Sequence, residues 1–144
     1  MKALSLIFLS LFLGKGCGTA QKQDLESTVV EYVANTRGFY QKITIQNHKV
    51  SITHDRNGKT APQESKISDA DWKDLVVLFQ DIKLDELANL KAPTGKRLYD
   101  GAAIASLKVT YKGKDYQSSS FDHGAPPSEI AKFVEKVNSF AKLE

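Results

Sequence analysis

The sequence predicts an α+β fold: an antiparallel sheet of four to six strands, built from two ββα-like units, with two main helices packed on one face. Three observations predict it. Several stretches alternate apolar and polar residues at period two, as half-buried antiparallel strands do. Two others carry apolar residues at intervals of three and four, the spacing of an amphipathic helix. Along the chain these occur as hairpin, glycine-ended loop and helix, twice over.

The first element is a β-rich run, Thr28 to Asn35, with apolar residues on either side of a charged one. A clearer hairpin follows. Phe39, Ile43 and Ile45 alternate with Tyr40, Lys42, Thr44 and Gln46, the chain turns at Gln46-Asn47-His48, and Val50 and Ile52 resume the pattern. Asn57-Gly58 tolerates positive φ and leads into Lys59 to Lys66, an edge strand interrupted by Pro62. Ser68 with Asp71 three residues on reads as a capping box, and Ile67 with Trp72 as a hydrophobic staple. Trp72, Leu75, Val76, Phe79 and Ile82 then form one apolar stripe, which continues weakly through Leu84, Leu87 and Leu90 before the Pro93-Thr94-Gly95 loop.

The second half repeats the plan. Ala103, Ala105, Leu107, Val109 and Tyr111 alternate with Ile104, Ser106, Lys108, Thr110 and Lys112; the chain turns at Lys112 to Asp115 and returns from Tyr116 to Phe121. Pro126-Pro127-Ser128 starts a helix whose stripe is Ile130, Phe133, Val134, Val137 and Phe140. A gapless alignment at an offset of 66 places Thr44 on Thr110 and Gly58 on Gly124. With so few identities, duplication and shared architecture both remain open.

Ahead of this domain lies an export signal, residues 1–16: a basic start at Lys2, then an uncharged apolar run from Ala3 to Leu13. Gly14, Lys15 and Gly16 end the run well short of the ~20 apolar residues a membrane-spanning helix needs. Two cleavage positions compete. Leu13 to Cys17 resembles a bacterial lipobox, with Gly14 and Lys15 departing from the standard pattern, and makes Cys17 a lipid-attachment site. Gly18-Thr19-Ala20 instead offers an ordinary small-x-small cut after Ala20, which would discard the cysteine. Residues 17–27 then form a flexible tether and 28–144 a single domain. Cys17 is the sole cysteine, so no intrachain disulfide supports the fold.

Removing Lys2 and Lys15 with the signal leaves 18 basic residues against 17 acidic ones. That near-neutral, interspersed balance gives no argument for nucleic-acid binding.

The strings Leu98-Tyr99-Asp100-Gly101-Ala102 and Phe121-Asp122-His123-Gly124-Ala125-Pro126-Pro127, together with the leading lipobox-like cysteine, resemble a group of small exported bacterial lipoproteins of unknown function. The likeness covers most of the mature chain. It implies a membrane anchor in the cell envelope, facing the periplasm or the cell surface, and carries no activity with it.

Candidate chemistry concentrates in two loops. Arg97, Tyr99 and Asp100 lie between Gly95 and Gly101, and Asp122 and His123 precede the last helix, with Ser118 to Ser120 upstream. Serine, histidine and carboxylate together invite a hydrolase reading. Against it, the serines fall on a predicted strand without a Gly-x-Ser-x-Gly elbow, and adjacent Asp and His point apart in an extended chain. His48 and His54, six strand residues apart, are separated by about 20 Å, too far to share an ion. Neither metal nor cofactor is expected.

The broader candidate is the sheet face away from the helices: Tyr40, Lys42, Thr44, Lys108, Thr110 and Lys112, extended by Gln46, Lys49, Ser51, Thr53, Ile104, Ser106, Gln117, Ser119 and Phe121. A Lys/Thr/Ser face of this kind suits an envelope protein or a glycan. The expected function is therefore an envelope-tethered, non-catalytic binding, inhibitory or assembly module. The alternative is a small exported hydrolase or ligand-binding protein using the Asp122-His123 and Asp100 loops.

Overall fold

The computed structural model describes residues 24–142, so the signal, Cys17 and most of the tether lie outside the described residues. The domain is α+β. Seven antiparallel strands form one sheet: β1 (Val29–Asn35), β2 (Tyr40–Gln46), β3 (Lys49–Thr53), β4 (Gln63–Lys66), β5 (Ile104–Tyr111), β6 (Lys114–Gln117) and β7 (Phe121–Asp122). The spatial order is β4-β3-β2-β1-β5-β6, and β7 adds to β5 beyond β6. Two helices, α1 (Asp69–Gln80) and α2 (Ala131–Ser139), complete the two hairpin-to-helix runs. Among the described residues no helix is long and apolar enough to cross a membrane.

The period-two pattern fixes the faces. On β1, Val30, Tyr32 and Ala34 are buried, and their partners across the ladders, Ile45, Ile43, Val109, Leu107 and Ala105, are buried with them. β1 is thus an interior strand, paired on both edges, with one face buried under the helices and the other half-buried. Against this inner face lie Trp72, Leu75 and Phe79 of α1 and Phe133, Val134 and Val137 of α2. Lys136 of α2 holds Asp71 of α1 at 2.7 Å and Asp74 at 3.5 Å, joining the helices at their solvent edge.

Local signals act as written in the sequence. Ser68 Oγ accepts from the Asp71 amide at 3.2 Å and caps α1. Both hairpin tips turn with positive φ at two successive residues, Asn47 and His48 in one and Lys112 and Gly113 in the other, the geometry that matches strand twist. His48 has no glycine-like freedom there, but its ring stacks on Trp72 with centroids 3.9 Å apart and its Nε2 meets the Glu26 carboxylate at 2.8 Å. Trp72 Nε1 donates to the same carboxylate at 3.1 Å. The segment just before β1 is thereby fastened to the body.

Four expectations change. The sheet has seven strands rather than four to six, because the return from Tyr116 to Phe121 is split. At Ser118 the backbone amide donates to the Leu107 carbonyl at 2.8 Å and Ser118 Oγ accepts from the Leu107 amide at 2.9 Å. Pairing then resumes at Phe121 with Ala105. Three residues on one strand therefore oppose two on the other, a β-bulge. This inserts one residue and inverts the alternation, so Phe121, expected on the open face, is fully buried on the helix face. The last helix begins at Ala131, after a tight turn in which Ile130 N–H donates to Pro127 O, rather than at Pro126-Pro127-Ser128. Finally, shared pairing with β1 relates Ile45 to Val109 and Ile43 to Leu107, two positions short of the 66-residue alignment. The two halves share an architecture in a different register.

Candidate functional site

The bulge decides the geometry of the Asp122-His123 pair. Asp122 sits opposite Ile104 of β5, on the open-face side, while His123 N–H donates to Ala103 O and its ring turns to the helix side. Adjacent in sequence, the two side chains work on opposite faces of the sheet.

Asp122 is 1% exposed. Its Oδ2 accepts from Thr94 Oγ1 at 2.6 Å and the Lys96 amide at 2.8 Å, and its Oδ1 from the Arg97 amide at 2.9 Å and Arg97 Nη1 at 3.1 Å. Burial alone would raise its pKa, but these hydrogen bonds outweigh it and hold the carboxyl well below the usual carboxylate range. Asp122 therefore closes the first turn of a short 3-10 helix, Lys96–Tyr99, and pins Arg97 beside it. Arg97 Nη1 also donates to Thr94 O at 2.8 Å and Nε to Ser120 Oγ at 3.3 Å. Asp100 follows in the left-handed region with φ of 60°. At Gly101 a Cβ would lie 2.9 Å from the exposed Tyr99 ring and 3.2 Å from the Lys96 carbonyl oxygen, so a larger residue would crowd the return of the chain. Leu98 and Tyr99 project at the tip, 79% and 73% exposed.

On the other face, His123 Nδ1 shares a 2.7 Å hydrogen bond with the hydroxyl of Tyr32, the central core residue of β1. Burial pushes the Tyr32 phenol up to about 12, with Asn138 pulling weakly the other way. Burial also lowers the His123 pKa, and the Lys142 charge lowers it further. His123 floors a recess of about 650 Å³ between the start of β2 and α2, with Phe39, Gln41, Pro126, Glu135, Asn138 and Lys142 around it. The His123 and Phe39 rings are 5.9 Å apart, and Gln41 Nε2 reaches Asn138 Oδ1 at 3.4 Å.

A pH dependence follows from His123. Its folded pKa lies below the unfolded value, so its contribution to stability is complete above about pH 6.5 and is lost as pH falls through the folded value. Urea midpoints are expected to decline from pH 7 to pH 5.5 in the wild type and to decline less in His123→Phe; equal slopes would refute this.

The open sheet face is neutralised from within. Glu31 of β1 lies between Lys42 of β2 at 3.0 Å and Lys108 of β5 at 3.8 Å, and Lys108 also faces Asp115 at 3.7 Å. Thr110 Oγ1 donates to Asp115 at 2.7 Å. Thr44 pairs across to Glu31 and Ser51, and the Tyr40 ring lies 5.7 Å below the Arg56 guanidinium. Lys112 belongs to a hairpin tip, its ammonium 5.3 Å from the Tyr111 ring. His54 Nδ1 contacts Tyr40 O at 3.2 Å, away from His48. No family model and no curated protein matches this chain.

Sequence reasoning missed two residues that organise these surfaces: Tyr32 supports His123 and Glu31 bridges the lysines. Arg97, a candidate from its loop, is held by Asp122. Only Glu31 left a signal, as the one charge in an otherwise apolar strand.

Proposed function

We propose that this chain is an envelope-tethered, non-catalytic binding lipoprotein, exported by residues 1–16 and anchored through Cys17, whose ligand sits in the recess floored by His123 and Phe39. The recess carries the reading. A concave recess that sets apolar residues, here Phe39, Pro126 and Val134, beside polar groups, here Gln41, His123 and Asn138, suits a small molecule. The hydrolase alternative needs His123 beside a carboxylate or a serine. Its ring nitrogen instead meets a phenol, and Asp122 is turned to the opposite face and fully engaged by the Thr94 hydroxyl, the Lys96 and Arg97 amides and the Arg97 guanidinium. A neutral His123 suits donating or accepting a hydrogen bond to an uncharged ligand group.

Two measurements test this. Intact mass of the mature protein is expected to carry a diacylglyceryl adduct on Cys17; an unmodified chain starting at Gln21 would remove the anchor, since only acylation supplies the ~0.8 kcal/mol per buried CH₂ that holds it at a bilayer. A fragment screen by ligand-observed NMR is expected to give hits that weaken about tenfold or more in His123→Ala, the loss of roughly 1.4 kcal/mol. Hits indifferent to that change, or ester or peptide turnover that it abolishes, would sink the binding reading.

A further inference from the structure

The chain contains three arginines among its 20 basic residues, Arg37, Arg56 and Arg97. All three line a single recess of about 280 Å³ at the end of the sheet opposite the hairpin tips, with Asn35, Asp100 and Ile104. They arrive from three separate segments: the β1-β2 turn, the β3-β4 loop and the 3-10 helix held by Asp122.

Two of the guanidinium groups are pinned by part of their N–H set. Arg56 Nη2 donates to the carbonyls of Thr36 and Phe39, leaving Nε and Nη1 without an acceptor among the described residues. Arg97 spends Nη1 and Nε on Thr94, Asp122 and Ser120, leaving Nη2. Arg37 has no acceptor among the described residues, and neither it nor Arg56 has a carboxylate within ion-pairing distance. Asp100, exposed in the same recess, likewise makes no ion pair. Single N–H groups left over on the two pinned guanidiniums, with those of Arg37 in the same recess, can together donate to an oxyanion, and little side-chain entropy is lost at Arg56 and Arg97 when one binds.

The charge balance narrows the ligand. Asp122 offsets one of the three guanidinium charges and Asp100 a second, so a single negative charge completes the recess, and a dianion would be opposed by Asp100. A carboxylate such as that of Asp100 is a hydrogen-bond acceptor, so it calls for hydroxyl groups beside the anion. Ile104 and Ala102 supply an apolar wall to the same recess. A volume near the lower limit for ligand sites fits one ring.

We infer that the Arg37-Arg56-Arg97 recess binds a carboxylate-bearing saccharide, a uronic acid residue, with the carboxylate on the arginines and ring hydroxyls on Asp100. This site is separate from the His123 recess, and it stands or falls independently of it.

Titration calorimetry on the full chain in detergent, at low salt, provides the test, with glucuronate, acetate, glucose and a blocked Gly-Glu-Gly peptide as probes. Glucuronate is expected to bind at least tenfold more tightly than acetate or the peptide, and glucose not measurably. Arg37→Gln, which breaks no internal contact, and Arg56→Gln should each weaken glucuronate several-fold, while Lys132→Gln, an equal loss of charge elsewhere, should not. Asp100→Asn should narrow the gap between glucuronate and acetate. Equal affinity for glucuronate and acetate would reduce the recess to an unspecific anion patch, tighter binding of the peptide would assign it to acidic protein segments, and insensitivity to Arg37→Gln would exclude the site; each result overturns the inference.

Discussion

Replacing Asp122 by alanine is expected to lower the thermal midpoint by roughly 10 °C, the largest effect of any substitution outside the apolar core. The carboxylate is the common acceptor of Thr94, the Lys96 and Arg97 amides and the Arg97 guanidinium. Without it two backbone amides and a nearly buried cation lose their partner together, and the 94–100 loop has little else to hold it. Asp122→Asn keeps the shape but presents an amide N–H to a cluster of donors, so it should also destabilise. The acid limb is diagnostic. Because the folded pKa is depressed, the stabilisation is complete above about pH 4 and disappears as pH falls through the folded value. Wild-type urea midpoints should therefore drop between pH 5 and pH 2.5, and those of Asp122→Asn should drop less. A variant as stable as wild type at pH 7 with an unchanged acid limb would mean the loop is held by something else.

Phe79→Ala should cost about 4 kcal/mol, a large part of the stability of a domain this size. Phe79 is fully buried and its ring lies 5.8 Å from Phe133, so it joins α1 to α2 as well as to the sheet. Truncation leaves a cavity that two helices and a twisted sheet cannot all close at once. Val77, two residues away and 59% exposed, is the control: Val77→Ala should stay within about 0.5 kcal/mol in equilibrium urea unfolding. Similar losses at the two positions would mean that the helix stripe is not the one buried.

Short-range signals were legible because their physics is local. Ser68 caps α1 through an amide three residues away, and the stripe Trp72, Leu75, Phe79 faces inward because the helical period allows no other face. The loops Arg97 to Asp100 and Asp122-His123 could be named as candidates from composition. Their partners could not, since Tyr32 lies 91 residues from His123 and Arg97 lies 25 from Asp122. Lys42 and Lys108 read as a basic face for the same reason: the Glu31 that neutralises both is identified only by the register of β1 between β2 and β5.

By itself the sequence determined the α+β class, the order of strands and helices and the two apolar stripes, because alternation, helical spacing and caps are written within a few positions of one another. The tertiary structure decided the rest. One extra residue at Ser118 inverted the alternation, buried Phe121, and sent Asp122 and His123 to opposite faces. A bulge is a mismatch between two strands, and a mismatch exists only once both are paired. The same holds for the three arginines, which lie far apart along the chain and meet only because the sheet brings the β1-β2 turn, the β3-β4 loop and the 94–100 loop to one end.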